Sequence, residues 1–318
     1  MKFTRRQFVA GTGAALLAGT LSLLPRAHSL RRPNIVLFLA DDLRWDALGY
    51  SGNPVVKTPA IDALAKDSVA FKNCFVTTSI CAVSRASILT GQHMSTHGIT
   101  NFQRPLSDDA LELTFPMQLR KQGYFTGFIG KWGVGGKDTM PVTKFDYWRG
   151  FSGLGKYYGK AHGERHLNDR QNDQIQEFLN IAPQEKSFLL MVYFKAPHTP
   201  MTPQERFSEI YEDVSIPHAP SDTGNDVKSR PSIFDGSLLD DNVKVNFDSD
   251  QHYQEYVRNY YRLVTGLDEV VGNTIASLKA RGLYDESCIM FSSDNGMMLG
   301  EHGLLGKNLM YEESIRIP

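Results

Sequence analysis

Cysteine is scarce, with only Cys74, Cys81 and Cys288 in 318 residues, and this odd number leaves no complete disulfide framework. At least one thiol therefore needs an explanation other than cross-linking, and Cys81 has the surroundings to supply one. Net charge is also nearly absent. Lys and Arg total 34 against 35 Asp and Glu, giving −1, so the chain has no basic footprint for nucleic acid and no polybasic patch for a membrane surface. Any anionic ligand must be met locally, by a few placed cations. Internal repeats and low-complexity tracts are missing. Beyond the first thirty residues no run is long and apolar enough to span a bilayer.

Those first residues are different. Thr4-Arg5-Arg6-Gln7-Phe8 precedes an apolar, small-residue run from Val9 to Leu24, and Pro25-Arg26-Ala27-His28-Ser29 follows it. The run is short and is interrupted by Gly11, Gly13 and Gly19. Residues 1–29 therefore read as a twin-arginine signal peptide with a small-x-small cleavage site, not as a permanent membrane span. The mature protein is expected in the periplasm or outside the cell. Because that route carries folded proteins, it suits one that acquires a metal or a modified residue before export.

With 41% hydrophobic and 11% aromatic residues, the chain has material for a substantial core. Continuous apolar runs at Asn34–Ala40, Tyr124–Gly130, Ser187–Phe194 and Ser287–Ser293 have the character of strands buried on both faces of a parallel sheet. Helical patterns lie between them, at Thr58–Ser68, Thr114–Gln122, Asn168–Asn180 and Glu255–Ala280. The alternation predicts an α/β fold, a mostly parallel central sheet with helices on both faces. Ile216–Ser249, polar and carrying three prolines, reads as a surface insertion.

Two strands run into polar clusters: the first into Asp41-Asp42, the last into Asp294-Asn295-Gly296. Carboxylate and amide oxygens at the C-terminal ends of two strands converge on the crevice where open α/β sheets bind ligands. Hard oxygen donors of this kind suit Ca²⁺, or Mg²⁺, rather than zinc. Each pair read alone is an ordinary solvated loop acid or helix cap; together they read as a site. If Cys81 opens a helix, Arg85 lies one turn on along the same face, and the helix N-terminus adds free N–H groups that favour a sulfate or phosphate. A cysteine read in isolation would be a small buried hydrophobe.

Six ordered motifs carry a resemblance. They are Asp41-Asp42; Cys81-x-x-Ser84-Arg85 with Leu89-Thr90-Gly91; Gly130-Lys131-Trp132; Pro197-His198-Thr199-Pro200; Ser293-Asp294-Asn295-Gly296; and Gly300-Glu301-His302-Gly303-Leu304-Leu305-Gly306-Lys307. In this order they resemble the type I, formylglycine-dependent sulfatases of the alkaline phosphatase superfamily, and the likeness runs from about Asn34 to Pro318. The resemblance implies that Cys81 is oxidised by a formylglycine-generating enzyme to an aldehyde whose hydrate is the nucleophile. It implies a calcium site made by Asp41, Asp42, Asp294 and Asn295 and completed by modified Cys81. Arg85 would hold the hydrate, Lys131 and Lys307 would bind the sulfate, and His198 would stand near the leaving oxygen. The substrate would be a sulfated saccharide or a small sulfate ester. The family also implies a continuation beyond Pro318 into another strand and a smaller C-terminal subdomain, so 30–318 is expected to be a catalytic domain without that part, with apolar surface left bare.

Two positions depart from the family pattern. Val83 stands where the family has Pro or Ala, within the segment the modifying enzyme reads, and Gly133 stands where it tends to have a histidine that assists sulfate expulsion. His93 and His97 are candidates to replace that base. Phe145–Phe151, continuing through Tyr157-Tyr158, reads as core and turn material with a sugar pocket as the alternative. Rival functions are hydrolysis of phosphate or phosphonate monoesters on the same metal crevice, and non-catalytic binding of sulfated glycans.

Overall fold

Five strands form one wholly parallel sheet: β1 (Asn34–Asp41), β2 (Phe125–Lys131), β3 (Tyr147–Phe151), β4 (Phe188–Pro197) and β5 (Ser287–Ser293), in the order β3-β2-β4-β1-β5. The computed structural model describes residues 32–159, 165–221 and 228–318, and the leader read at 1–29 lies outside these. Val36 pairs with Leu190 across β1 and β4, and Ala40 with Ser293 across β1 and β5. Side chains along each strand point alternately to the two faces, so a strand covered on both sides must be apolar at every position. β4, buried along its whole length, meets that condition.

Helices cover both faces. Val36, Phe38 and Ala40 of β1, with Leu190, Val192 and Phe194 of β4, pack against α4 (Leu167–Ile181) and α6 (Asp250–Ala280) through Ile175, Phe178, Tyr260, Val264 and Leu267. α1 (Pro59–Lys66) joins this layer through Ile61. On the other face Leu37, Leu39, Leu189 and Met191 meet α2 (Cys81–Thr90) through Ala82, Ala86 and Leu89, and α3 (Phe115–Lys121) through Met117. Each of these fully buried Leu or Phe side chains contributes about 1.5–3 kcal/mol, which makes the sheet a stiff base for the loops at its C-terminal edge.

The structure departs from the sequence reading at three places. β5 is an edge strand, with Cys288 exposed and Met290 40% exposed, so it is not buried on both faces. Its apolar composition serves one covered face. β3 is a further strand, where the sequence suggests core and turn material, and its Trp148 packs with Phe128 of β2 and with Trp132 and Phe145 in one aromatic cluster at centroid distances of 4.8–6.2 Å. The stretch read as an insertion holds a helix, α5 (Leu238–Asn246), whose N-cap Ser237 accepts from the Asp240 N–H. Val69 and Phe71 are among the most exposed large apolar side chains, beside the outer face of β5. Among the described residues no helix is long and apolar enough to cross a membrane.

Candidate active site

The crevice begins with a sharp turn at the end of β1. Asp42 takes a left-handed conformation, φ 70°, which short polar side chains tolerate better than others. The turn is clamped from α6: the Tyr260 hydroxyl donates to the Asp42 carbonyl at 2.7 Å and accepts from the Arg44 N–H at 3.0 Å. β5 ties in beside it, with the Asp294 N–H donating to the Ala40 carbonyl and the Ser293 Oγ accepting from the Leu43 N–H. Both carboxylate-bearing strand ends are thus fixed by hydrogen bonds to their backbone from Tyr260, Ser293 and the neighbouring strand, and the Asp294 carboxylate adds one more by accepting from the Asp42 N–H.

Cys81 is the first residue of α2, fully buried. Its Sγ lies 3.1 Å from Asp41 Oδ1, 3.7 Å from Asp42 Oδ1 and 2.6 Å from Lys307 Nζ. Burial pushes the thiol well above its usual range, and Asp294 and Asp41 push it further, so the unmodified side chain stays a thiol and a poor nucleophile. Arg85 lies one turn on, as the helical spacing requires. Its Nε donates to Asp294 Oδ2 at 2.8 Å, its Nη1 to the Lys131 carbonyl and its Nη2 to the Phe194 carbonyl at 3.5 Å. Lys131, at the end of β2, is paired with Asp41, and Lys307 with Asp42. Burial works against the charge on Asp41, but Lys131, His198, Arg85 and Lys307 together hold its carboxyl well below the ordinary carboxylate range.

His198 closes the group. Its Nδ1 lies 2.6 Å from the Thr199 carbonyl, which can only accept, so Nδ1 carries the hydrogen and Nε2 faces Asp42 Oδ2 at 3.6 Å. Burial lowers its pKa despite Asp42 and Asp41, keeping the ring neutral near pH 7. Tyr157, which the sequence offers as core, turn or sugar-pocket material, and Lys195, to which it gives no role, hold this loop. Tyr157 donates to the His198 carbonyl at 2.8 Å, and Lys195 donates to the Thr199 carbonyl at 2.7 Å while its ammonium lies over the Tyr157 ring. Burial pulls Lys195 down to about 8, with Asp41 opposing. A lysine inside an otherwise apolar strand run was the signal available in the sequence.

Donor atoms of Asp41, Asp42, Cys81 and His198 lie within 4.8 Å of one another, a cluster that could hold a metal ion. Asn295 fits the same role: its Nδ2 donates to Asp42 Oδ1 and to the Gly296 carbonyl, while its buried Oδ1 has no hydrogen-bond partner among the described residues. Asp294 borders this cluster with both oxygens engaged, by the Asp42 N–H and by Arg85. Asp41, Asp42 and Asp294 balance Arg85, Lys131 and Lys307, three charges against three. A dication would turn that neutral set into an anion receptor. His93 and His97 are elsewhere. His93 is exposed, and His97 accepts from the Ile99 N–H and meets Ser87 Oγ, about 9 Å along α2 from Cys81.

A family model for sulfatases matches residues 33–318. Over 360 residues the chain is 28% identical to an N-acetylglucosamine-6-O-sulfatase of Bacteroides thetaiotaomicron, covering 92% of this chain and 63% of that protein, so it spans less than two thirds of its relative's length. It matches a solved structure in complex with its substrate D-glucosamine-2-N,6-O-disulfate with a TM-score of 0.76 and 25% identity, over 91% of this chain and 70% of the other. Phosphonate monoester hydrolase of Agrobacterium radiobacter shares the fold, with a TM-score of 0.73 at 20% identity, over 90% and 67% of the two chains. With one family model matching nearly all of the described sequence, and all six motifs within it, the chain belongs to the sulfatase family.

Proposed function

We propose that this protein hydrolyses sulfate monoesters, with Cys81 in its formylglycine form as nucleophile and with Ca²⁺, or Mg²⁺, held by Asp41, Asp42, Asn295 and Asp294. The observation that carries the reading is the position of Cys81, on the first turn of a helix, in contact with Lys307 and Asp41 and one turn from Arg85. A buried thiol with a raised pKa surrounded by three cations has no use for its sulfur as such, whereas an oxygen nucleophile at this point does. Formylglycine supplies a geminal diol, and the dication supplies Lewis acidity toward the diol and the sulfate oxygens.

The remaining work falls to side chains of this chain. Arg85, locked by Asp294 and two carbonyls, fixes the orientation of the residue at position 81. Lys131 and Lys307 face charge that gathers on the transferring sulfuryl group, in a buried site where such interactions are strong. His198 Nε2, left without a hydrogen in the tautomer that the Thr199 carbonyl sets, is the atom placed to take up the proton that the nucleophile gives up and to pass it to the departing alcohol oxygen. Conversion of Cys81 by a formylglycine-generating enzyme and folded export through the twin-arginine leader belong to the same proposal. Gly133 provides no base, and neither His93 nor His97 replaces one.

The test is to map the peptide around Cys81 by mass spectrometry and to compare release of sulfate and of phosphate from matched aryl esters. Loss of mass at Cys81 together with a preference for the sulfate ester is the expected result. An unmodified thiol with phosphate preferred would return the protein to the phosphate-ester reading. Sulfated glycan bound without turnover would make it a binding protein.

A further inference from the structure

Beside the cluster lies a crevice of about 540 Å³, within the size range of small-ligand sites. Asp42, His198 and Lys307 of the cluster are among its lining residues. Beyond these, its lining among the described residues contains no charged side chain. One wall is α5, where Leu238, Asn242 and Asn246 recur at intervals of four and so share a helix face; Met201 and Tyr256 stand among the other lining residues. Asn242 Nδ2 donates to the Leu305 carbonyl at 3.3 Å, and Asn246 Nδ2 to the Asn242 carbonyl at 2.8 Å. Because a carbonyl can only accept, these bonds assign the amide orientation and leave each side-chain oxygen as the acceptor that remains.

Such a wall discriminates by charge. Hydroxyl and amide N–H groups find acceptors on it, and a sugar ring finds apolar surface on Leu238, Met201 and Tyr256. A second sulfate or a carboxylate would lose water against the same atoms with no cation to receive it, and acceptor oxygens would face its own oxygens. We propose that this crevice takes the alcohol portion of the ester and selects an uncharged one: a hydroxyl-rich ring bearing a single sulfate, with Leu238, Asn242 and Asn246 as specificity-determining residues. This rests on the hydrolase reading only for the identity of the group that occupies the cluster.

N-acetyl-D-glucosamine 6-sulfate and D-glucosamine-2-N,6-O-disulfate form a matched pair, differing by acetyl against sulfate on one nitrogen. Their dissociation constants can be measured on the full-length Cys81→Ser protein, where no turnover is needed. The monosulfate should bind at least about 10-fold tighter, and Asn246→Lys in the same background should erase or invert the preference. Leu238→Lys, at a position 69% exposed and therefore safe for folding, should act in the same direction if the Asn246 variant is unstable. Equal affinities, a preference for the disulfate, a preference that neither lysine moves, or no binding of either sugar would each overturn the inference. The hydrolase reading fails separately, if wild-type protein releases no sulfate from a small aryl sulfate; that result leaves the measured binding preference intact.

Discussion

Gly133 is where the structure makes its sharpest demand on a single residue. Its φ of 76° lies in the left-handed region, and a Cβ built there would come 2.6 Å from Arg85 Cδ. Gly133→Ala thus incurs two separable costs. Left-handed backbone costs an alanine about 1–2 kcal/mol, and forcing a methyl group into a packed site costs about 1–3 kcal/mol, for a sum of about 2–5 kcal/mol. The second part is relieved only if Arg85 moves, and Arg85 cannot move without loosening its 2.8 Å bond to Asp294 and its bonds to the Lys131 and Phe194 carbonyls. Activity should therefore fall by about 100-fold, a typical consequence of misplacing an orienting group by about 1 Å. Urea unfolding monitored by fluorescence gives the stability change, and sulfate release from an aryl ester gives the rate. A variant that matches wild type in both would refute the reasoning. One that loses stability but keeps its rate would show that Arg85 shifts without consequence. Restoring the family's histidine at this position meets the same obstacle, so Gly133→His should not raise activity.

Three further outcomes follow from the geometry. Burial holds His166 down to about 4 from an ordinary 6.5, against the Thr202 carbonyl, which its Nε2 meets and which raises it; its Nδ1 accepts from the Asn168 N–H, a bond that protonation destroys. A depressed pKa gives stability that is complete above pH 6.5 and lost as pH falls through about 4, on the order of 3 kcal/mol, and unfolding midpoints at pH 7.5 and 4.5 should differ less in His166→Gln. Asp268 accepts from the Ala60 and Ile61 N–H groups in the first turn of α1, at 3.2 and 2.7 Å, so Asp268→Ala should cost about 1–2 kcal/mol in the same unfolding assay. Because the crevice charges balance three against three, chelation should leave the protein folded, and adding Ca²⁺ at about 100 times its dissociation constant should raise stability by about 2.7 kcal/mol, read as a higher melting temperature.

Much of the fold was legible because burial on both faces leaves a plain mark. β1, β2 and β4 read as continuous apolar runs, and their observed ends lie within a few residues of those runs. β5 carried the same mark but is an edge strand with one face open, and sequence pattern does not distinguish a covered face from one that meets solvent. β3 was hidden because its aromatics suit core, turn and pocket equally well. α5 was hidden because its face is half polar, although Ser237 and the acids that follow it are an N-terminal signal. Within the crevice, ordered motifs pointed to Asp41, Asp42, Cys81, Arg85, Lys131, His198, Asp294, Asn295 and Lys307, and the structure gathers them at one end of the sheet. Tyr157, Lys195 and Tyr260 belong to no motif. They act by holding backbone carbonyls from distant elements, and such partnerships leave no local pattern.

The central claim is that position 81 must be more than a single hydroxyl or thiol. Full-length protein and its Cys81→Ser variant should be compared for multiple-turnover release of sulfate from an aryl sulfate, with the mass of each protein recorded before and after. Serine is close to cysteine in size and should leave folding intact. After attack on sulfur it has no second hydroxyl with which to expel sulfate. The account predicts sustained turnover by the wild type, and for the variant at most one equivalent of product with the sulfate retained on the protein. Equal sustained rates in the two would contradict it.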